Sequence, residues 1–192
     1  MPDLVDLAQI DPRLKLDIRY ADSNNFAGKA VYPAPHGYLH RDAAHALRRA
    51  HDRAQAQGYG LQILDAYRPW QVTRYFWEHF PMHRAFLADP EFGSRHNRGC
   101  AVDLTLFDLK SGQEVEMPSA YDEFTERAHP GYDGGTPLQR QMRDTLRNLM
   151  EAEGFSIHPH EWWHFDYRGW EHHPVLDIDF ADLNNPKKTK SP

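Results

Sequence analysis

With 192 residues, 40% of them hydrophobic, the chain can bury a core without staples, and its one cysteine, Cys100, rules out an intrachain disulfide. Basic side chains number 22 against 28 acidic ones, for a formal net charge of -6, so no basic excess exists to hold nucleic acid. No apolar stretch approaches the roughly 20 residues that span a bilayer, and Met1-Pro2-Asp3-Leu4-Val5-Asp6 lacks the basic and apolar regions of a signal peptide. The expectation is a cytoplasmic protein with neither nucleic-acid nor membrane partners.

Leu14, Leu16, Ile18 and Tyr20 alternate with Lys15, Asp17 and Arg19, which predicts a half-buried strand. Residues 24–28 read as a loop, and Tyr32-Pro33-Ala34-Pro35 as an extended connector. Residues 41–57 read as a helix with Ala43, Leu47, Ala50 and Ala54 on one face and Gly58 just past its end. Leu61, Ile63 and Leu64 suggest a short buried strand ending at Asp65. Arg68-Pro69 breaks it, and Pro69 suits the first position of a second helix with Val72, Phe76 and Phe80 inward.

Residues 81–95 have weak periodicity and read as a helix end and a loop. Residues 101–107 predict a strand with Val102, Leu104 and Leu106 on one side and Ala101, Asp103 and Thr105 on the other. A turn over 108–112 follows, then a long polar segment, 118–135, of the kind that walls a site. Thr136-Pro137-Leu138-Gln139 is a helix start with a cap, a proline at the first position and glutamine at the third. Leu138, Met142, Leu146 and Leu149 would line that helix, Gly154 would close it, and 155–158 with 162–167 would form a final strand pair. The layout is α+β: a mainly antiparallel central sheet with helices packed against one face, in a single domain over 1–180. Residues 181–192, with the basic run Pro186-Lys187-Lys188-Thr189-Lys190, are expected as a disordered tail.

Two segments concentrate the chemistry: Ser94-Arg95-His96-Asn97-Arg98-Gly99-Cys100-Ala101-Val102-Asp103 and Glu161-Trp162-Trp163-His164. Two imidazoles, a carboxylate and an open position make a catalytic zinc site, and a spare glutamate beside the water is the usual general base. An aspartate inside an apolar strand must be paired or metal-bound, so Asp103 is either a ligand or the partner of an arginine. His164, among Trp162, Trp163 and Phe165, is either a ligand or a satisfied core histidine, and His158 and His160 compete for the ligand role. Strict strand alternation puts Glu161 and His164 on opposite faces, so a bend is required if both are to meet one water. Arg68 is either solvated or a clamp for substrate charge. Ser94 either contacts substrate or caps the turn, Asp122 lies in the long loop, and Cys100 reads as a small packing residue.

These segments resemble the D-alanyl-D-alanine dipeptidases, the vancomycin-resistance type of zinc peptidase. The matching pieces are Asp17-Ile18-Arg19-Tyr20-Ala21 with Asn25-Phe26, then Asp65-Ala66-Tyr67-Arg68-Pro69, then Ser94, His96, Gly99, Ala101 and Asp103 with Leu104-Thr105-Leu106. Tyr121-Asp122, Glu126-Arg127-Ala128-His129 and Glu161-Trp162-Trp163-His164 complete them, so the resemblance covers roughly residues 4–170. It implies one zinc ion per chain with His96, Asp103 and His164 as ligands, Glu161 as base and Arg68 as stabiliser of the oxyanion. It further implies Tyr20, Ser94 and Asp122 as substrate-site residues for a small D,D-dipeptide, with Asp122 receiving the ammonium group and Ser94 with its surroundings holding the C-terminal end. Cys100 stands where other small residues are usual, Tyr121 where phenylalanine is typical, and the segment before Ser94 is shorter than in the resistance enzymes. The competing functions are a D,D-carboxypeptidase acting on longer wall peptides, a non-haem iron oxygenase and a non-catalytic zinc-binding module.

Overall fold

The computed structural model describes residues 3–184. A short strand, β1 (Leu4–Asp6), leads into one helical turn, α1 (Leu7–Ile10), capped where the Asp6 carboxylate accepts the Ala8 N–H at 2.9 Å. The alternation over 14–20 survives as burial but not as a full strand. Leu14, Ile18 and Tyr20 are buried, yet β2 spans only Lys15–Leu16, and Arg19–Ala21 turns as a 3-10 helix. That turn delivers Tyr20 to the rings of Phe26, Tyr32 and Phe76, with centroids at 5.0 to 6.0 Å, so aromatic packing overrides the strand. β3 (Tyr38–His40) pairs with β1 in a two-stranded sheet. Three-residue strands carry too little periodicity to read from sequence.

α2 (Arg41–Ala56) buries Ala43, Leu47, Ala50 and Ala54, and Gly58 follows with φ of 87°. β4 (Tyr59–Asp65) and α3 (Trp70–His79) come next; Pro69 is the N-cap rather than the first helical residue, and Phe76 and Thr73 are its buried positions. β5 (Ala101–Asp108) precedes the long loop and α4 (Pro137–Glu151). The capping box forms: Gln139 N–H donates to Thr136 Oγ1 at 3.2 Å and Thr136 N–H to Gln139 Oε1 at 2.7 Å. Leu138 is 62% exposed, because the packed stripe starts one turn later at Met142 and continues through Leu146 and Leu149. β6 (Phe155–His158), β7 (Glu161–Tyr167) and α5 (Phe180–Asn184) complete the order. The expected tail therefore begins as helix, with Phe180 buried among Tyr32, Tyr38 and Tyr67 for about 2 kcal/mol; residues 185–192 lie outside the described residues.

The main sheet has the order β2-β4-β5-β7-β6. β2 runs parallel to β4 and every other neighbour is antiparallel, so the sheet is mixed and mainly antiparallel. α2 and α4 pack on each other and on one face of it, where Leu61, Ile63, Val102, Leu104 and Leu106 join their buried residues. Two irregularities act on the opposite face. In β4, Ile63 pairs with Leu104 but Asp65, not Leu64, pairs with Asp103. This bulge turns Asp65 onto the same face as Asp103, and Asp103 in turn pairs with His164. In β7, Phe165 pairs with Ile157 but Glu161 with His158, so one step on β6 spans four on β7. That irregularity is the bend needed for Glu161 and His164 to share a face. Among the described residues no helix is long and apolar enough to cross a membrane.

Candidate active site

The row Asp65–Asp103–His164 lies across three strands, and His96 reaches it from the 3-10 turn His96–Arg98. Gly99 ends that turn with φ of 67°, and a Cβ there would collide with Leu4 and press on the His40 backbone nitrogen. His96 donates from Nδ1 to Ala66 O at 2.7 Å, and His164 donates from Nε2 to Asp166 Oδ1 at 2.9 Å. Each imidazole thereby turns its other nitrogen toward Asp103. Asp103 Oδ1 lies 3.3 Å from His96 Nε2 and 3.0 Å from His164 Nδ1, and those nitrogens are 3.1 Å apart. Ligand atoms held tetrahedrally about 2.0 to 2.1 Å from zinc stand roughly 3.3 Å apart. All three residues are buried, and Asp103 Oδ1 has no hydrogen-bond donor.

The electrostatics agree with a cation site. Burial pushes the Asp103 carboxyl up, but His96 and His164 beside it hold it well below the ordinary range. Burial pulls His164 down, yet Asp103 and Asp166 raise it well above its ordinary value. Two lone pairs and a carboxylate aimed at one point need a positive charge between them, which a proton or a metal ion can provide. Asp103 has no arginine partner among the described ion pairs, so the salt-bridge alternative fails. His158 and His160 also line the cavity, but the residues whose ligand atoms converge are His96, Asp103 and His164.

Around this cluster is a cavity of about 280 Å³. Glu161 Oε2 lies 3.6 Å from His164 Nδ1, and burial raises the Glu161 pKa to about 7. Arg68 donates from Nε and Nη2 to Asp65 Oδ2 at 3.0 and 2.7 Å, while Tyr32 donates its hydroxyl to Asp65 Oδ1 at 2.8 Å. The guanidinium lies over the rings of Tyr20 and Phe76. Asp122, at φ of 57°, accepts the Tyr20 hydroxyl at 3.0 Å. Burial and the nearby Asp103 push the Asp122 carboxyl well above its ordinary range. Ser94 Oγ accepts the His96 N–H at 3.2 Å, so Ser94 caps the turn while also lining the cavity. Cys100 is buried and its thiol is pushed up to about 12 by that burial, which fits packing rather than nucleophilic work.

Tyr20, Arg68, Ser94, His96, Asp103, Asp122, Glu161 and His164 thus all line one cavity. Tyr121, Asp65, Tyr32 and Asp166 were not singled out from sequence for the site. Tyr121 donates its hydroxyl to Asp103 Oδ2 at 2.9 Å. Asp166 carried a readable signal, lying two residues from His164 on the same strand face.

A buried His–Asp–His donor set facing a glutamate defines the metallopeptidase class. The family model described as D-Ala-D-Ala dipeptidase matches residues 2–182, and the chain belongs to that family. It is 37% identical to a D-alanyl-D-alanine dipeptidase of Escherichia coli (strain K12), over 96% of this chain and 94% of the relative. It is 32% identical to a D-alanyl-D-alanine dipeptidase of Enterococcus faecium, over 91% and 95%. A solved vancomycin-resistance D,D-dipeptidase in complex with a D-Ala-D-Ala phosphinate analogue aligns over 88% of this chain and 68% of its own, at 21% identity and a TM-score of 0.46.

Proposed function

We propose that the protein hydrolyses free D-alanyl-D-alanine to two D-alanines at a single zinc centre held by His96, Asp103 and His164. The observation that carries this reading is the convergence of three donor atoms beside a buried glutamate, Glu161. Bound zinc would supply Lewis acidity and lower the pKa of a water in the cavity. Glu161, raised by burial to about 7, is suited to take a proton from that water and return it to the leaving amine. The water oxygen becomes part of the new carboxylate as the C–N bond breaks. Arg68, held by Asp65, faces the charge that develops on the carbonyl oxygen. Asp122 beside Tyr20 receives the substrate ammonium, which supplies the counter-charge this buried carboxyl otherwise lacks.

The test couples zinc quantification on the purified protein to a panel of D,D-, L,D- and L,L-dipeptides and an N-acylated D-Ala-D-Ala. D-Ala-D-Ala should be the best substrate. Blocking its amine should slow turnover on the order of 30-fold, the equivalent of about 2 kcal/mol for removing one partner of a buried charge pair. Equal rates on the N-acylated analogue would point instead to a D,D-carboxypeptidase. A zinc-loaded protein that cleaves no dipeptide would refute the reading.

A further inference from the structure

The cavity holds more acids than cations free to meet a ligand. Asp103, Asp122 and Glu161 line it, and of its two arginines Arg68 is held by Asp65 through Nε and Nη2 and is already assigned to the carbonyl oxygen. Arg95 is the other. It lies between Ser94 and His96, so the turn that aims the imidazole also fixes its backbone. Its Nε is buried and has no hydrogen-bond partner. The acid it faces, Asp166, has Oδ2 3.6 Å from that nitrogen, and its Oδ1 already accepts His164. The Arg95 guanidinium carbon lies 4.7 Å from the Trp170 ring centre, a contact that supports the plane of the fork without using its N–H donors. The side chain is 39% exposed.

A free dipeptide is a zwitterion. With its ammonium at Asp122, its carboxylate needs a donor, because an unpaired buried carboxylate is strongly disfavoured. We propose that Arg95 is a specificity-determining residue that receives the free carboxylate of the substrate, a role that rests on the dipeptidase reading. Guanidinium to carboxylate is the charge-assisted pairing this fork is shaped for. A purely structural role, packed on Trp170 and ion-paired with Asp166, would leave Nε without a hydrogen bond and give no reason for the side chain to line the cavity.

The experiment measures equilibrium binding of D-Ala-D-Ala and of its C-terminal amide to zinc-loaded E161Q protein, with and without R95A. Melting temperature and zinc content establish that each variant is folded and loaded. With Arg95 present, the acid should bind at least about tenfold more tightly than the amide, the lower end for a hydrogen bond to a charged group. R95A should bring the acid-to-amide ratio close to one, and R95K should restore part of it. A ratio that R95A changes by less than about threefold, little more than ordinary non-additivity, overturns the proposal. Turnover by the unmodified protein is measured alongside. The expected binding ratio without hydrolysis would refute the dipeptidase reading and leave the carboxylate site standing, whereas binding of neither ligand would refute both.

Discussion

Replacing Asp65 by asparagine should disable Arg68 while leaving the rest of the cavity in place. Asp65 is wholly buried, and its Oδ2 takes both guanidinium donors, at 3.0 and 2.7 Å. Asparagine keeps the shape and one acceptor, but it removes the charge and turns an NH2 toward either the guanidinium or the Tyr32 hydroxyl. Arg68 stays charged, and only 8% of it is exposed. Breaking a buried pair by removing one partner costs about 3–5 kcal/mol, and the retained acceptor places D65N near the lower end. At about 2–4 °C per kcal/mol for a chain of this size, the melting temperature should fall by roughly 6–12 °C. Misplacing a donor that faces the transition-state oxyanion costs about 100- to 1,000-fold in kcat, and KM should move little because the contact develops in the transition state. Tyr32→Phe removes one hydroxyl donation, worth about 1 kcal/mol, and should cost kcat about tenfold or less. Steady-state kinetics with D-Ala-D-Ala, below the melting temperature of each zinc-loaded variant, measure the split. A folded D65N protein with unchanged kcat, or with its loss confined to KM, would refute the argument.

Glu161→Gln should lower kcat by about 100- to 10,000-fold while zinc content stays at the wild-type level; loss of zinc in that variant would mean Glu161 belongs to the ligand set. Chelation should abolish turnover and lower the melting temperature, both restored by added zinc, since an ion that binds only the folded chain stabilises it. His51 predicts a pH effect remote from the cavity. It is fully buried, with Nδ1 donating to Asp11 Oδ2 at 3.1 Å and Nε2 unpartnered, and burial holds its pKa below the ordinary value despite Asp11. The unfolded chain takes up this proton near pH 6.5 and the folded chain resists it, so the penalty is absent above about pH 6.5 and grows as pH falls toward the lowered folded value. Melting temperature should therefore drop between about pH 7.5 and 5, and H51N should flatten that slope; an unaltered slope would remove His51 as its cause.

The long periodic elements were legible because their burial repeats. α2 and α4 show their stripes and caps, and β5 shows its two faces, with Asp103 on the polar one. The site residues were legible as residue types but not as an assembly. Glu161 and His164 needed a four-against-one step in β7, and hydropathy alternation carries no sign of a register shift. Asp65 was read as the end of a strand, since only the bulge beside Leu64 turns it toward Arg68 and Asp103. Leu138 satisfied the helical spacing yet faces water, because spacing does not say which turn of a helix meets its partner. Tyr20 alternated like a strand residue, but the aromatic cluster of Phe26, Tyr32 and Phe76 draws it off the sheet.

The bulge in β4 makes pairing register, more than residue identity, the constraint on that strand. Substitutions among Leu61, Ile63 and Leu104 act on the helix layer and leave the polar row aligned. Strict alternation through Leu64, without the bulge, would instead put Asp65 on the side of Ile63, toward α2 and α4, placing an acid in the core and stranding the Arg68 guanidinium in one step. A transplant of this site into another sheet would have to carry the miscounted strands with it, since the eight side chains alone would not meet.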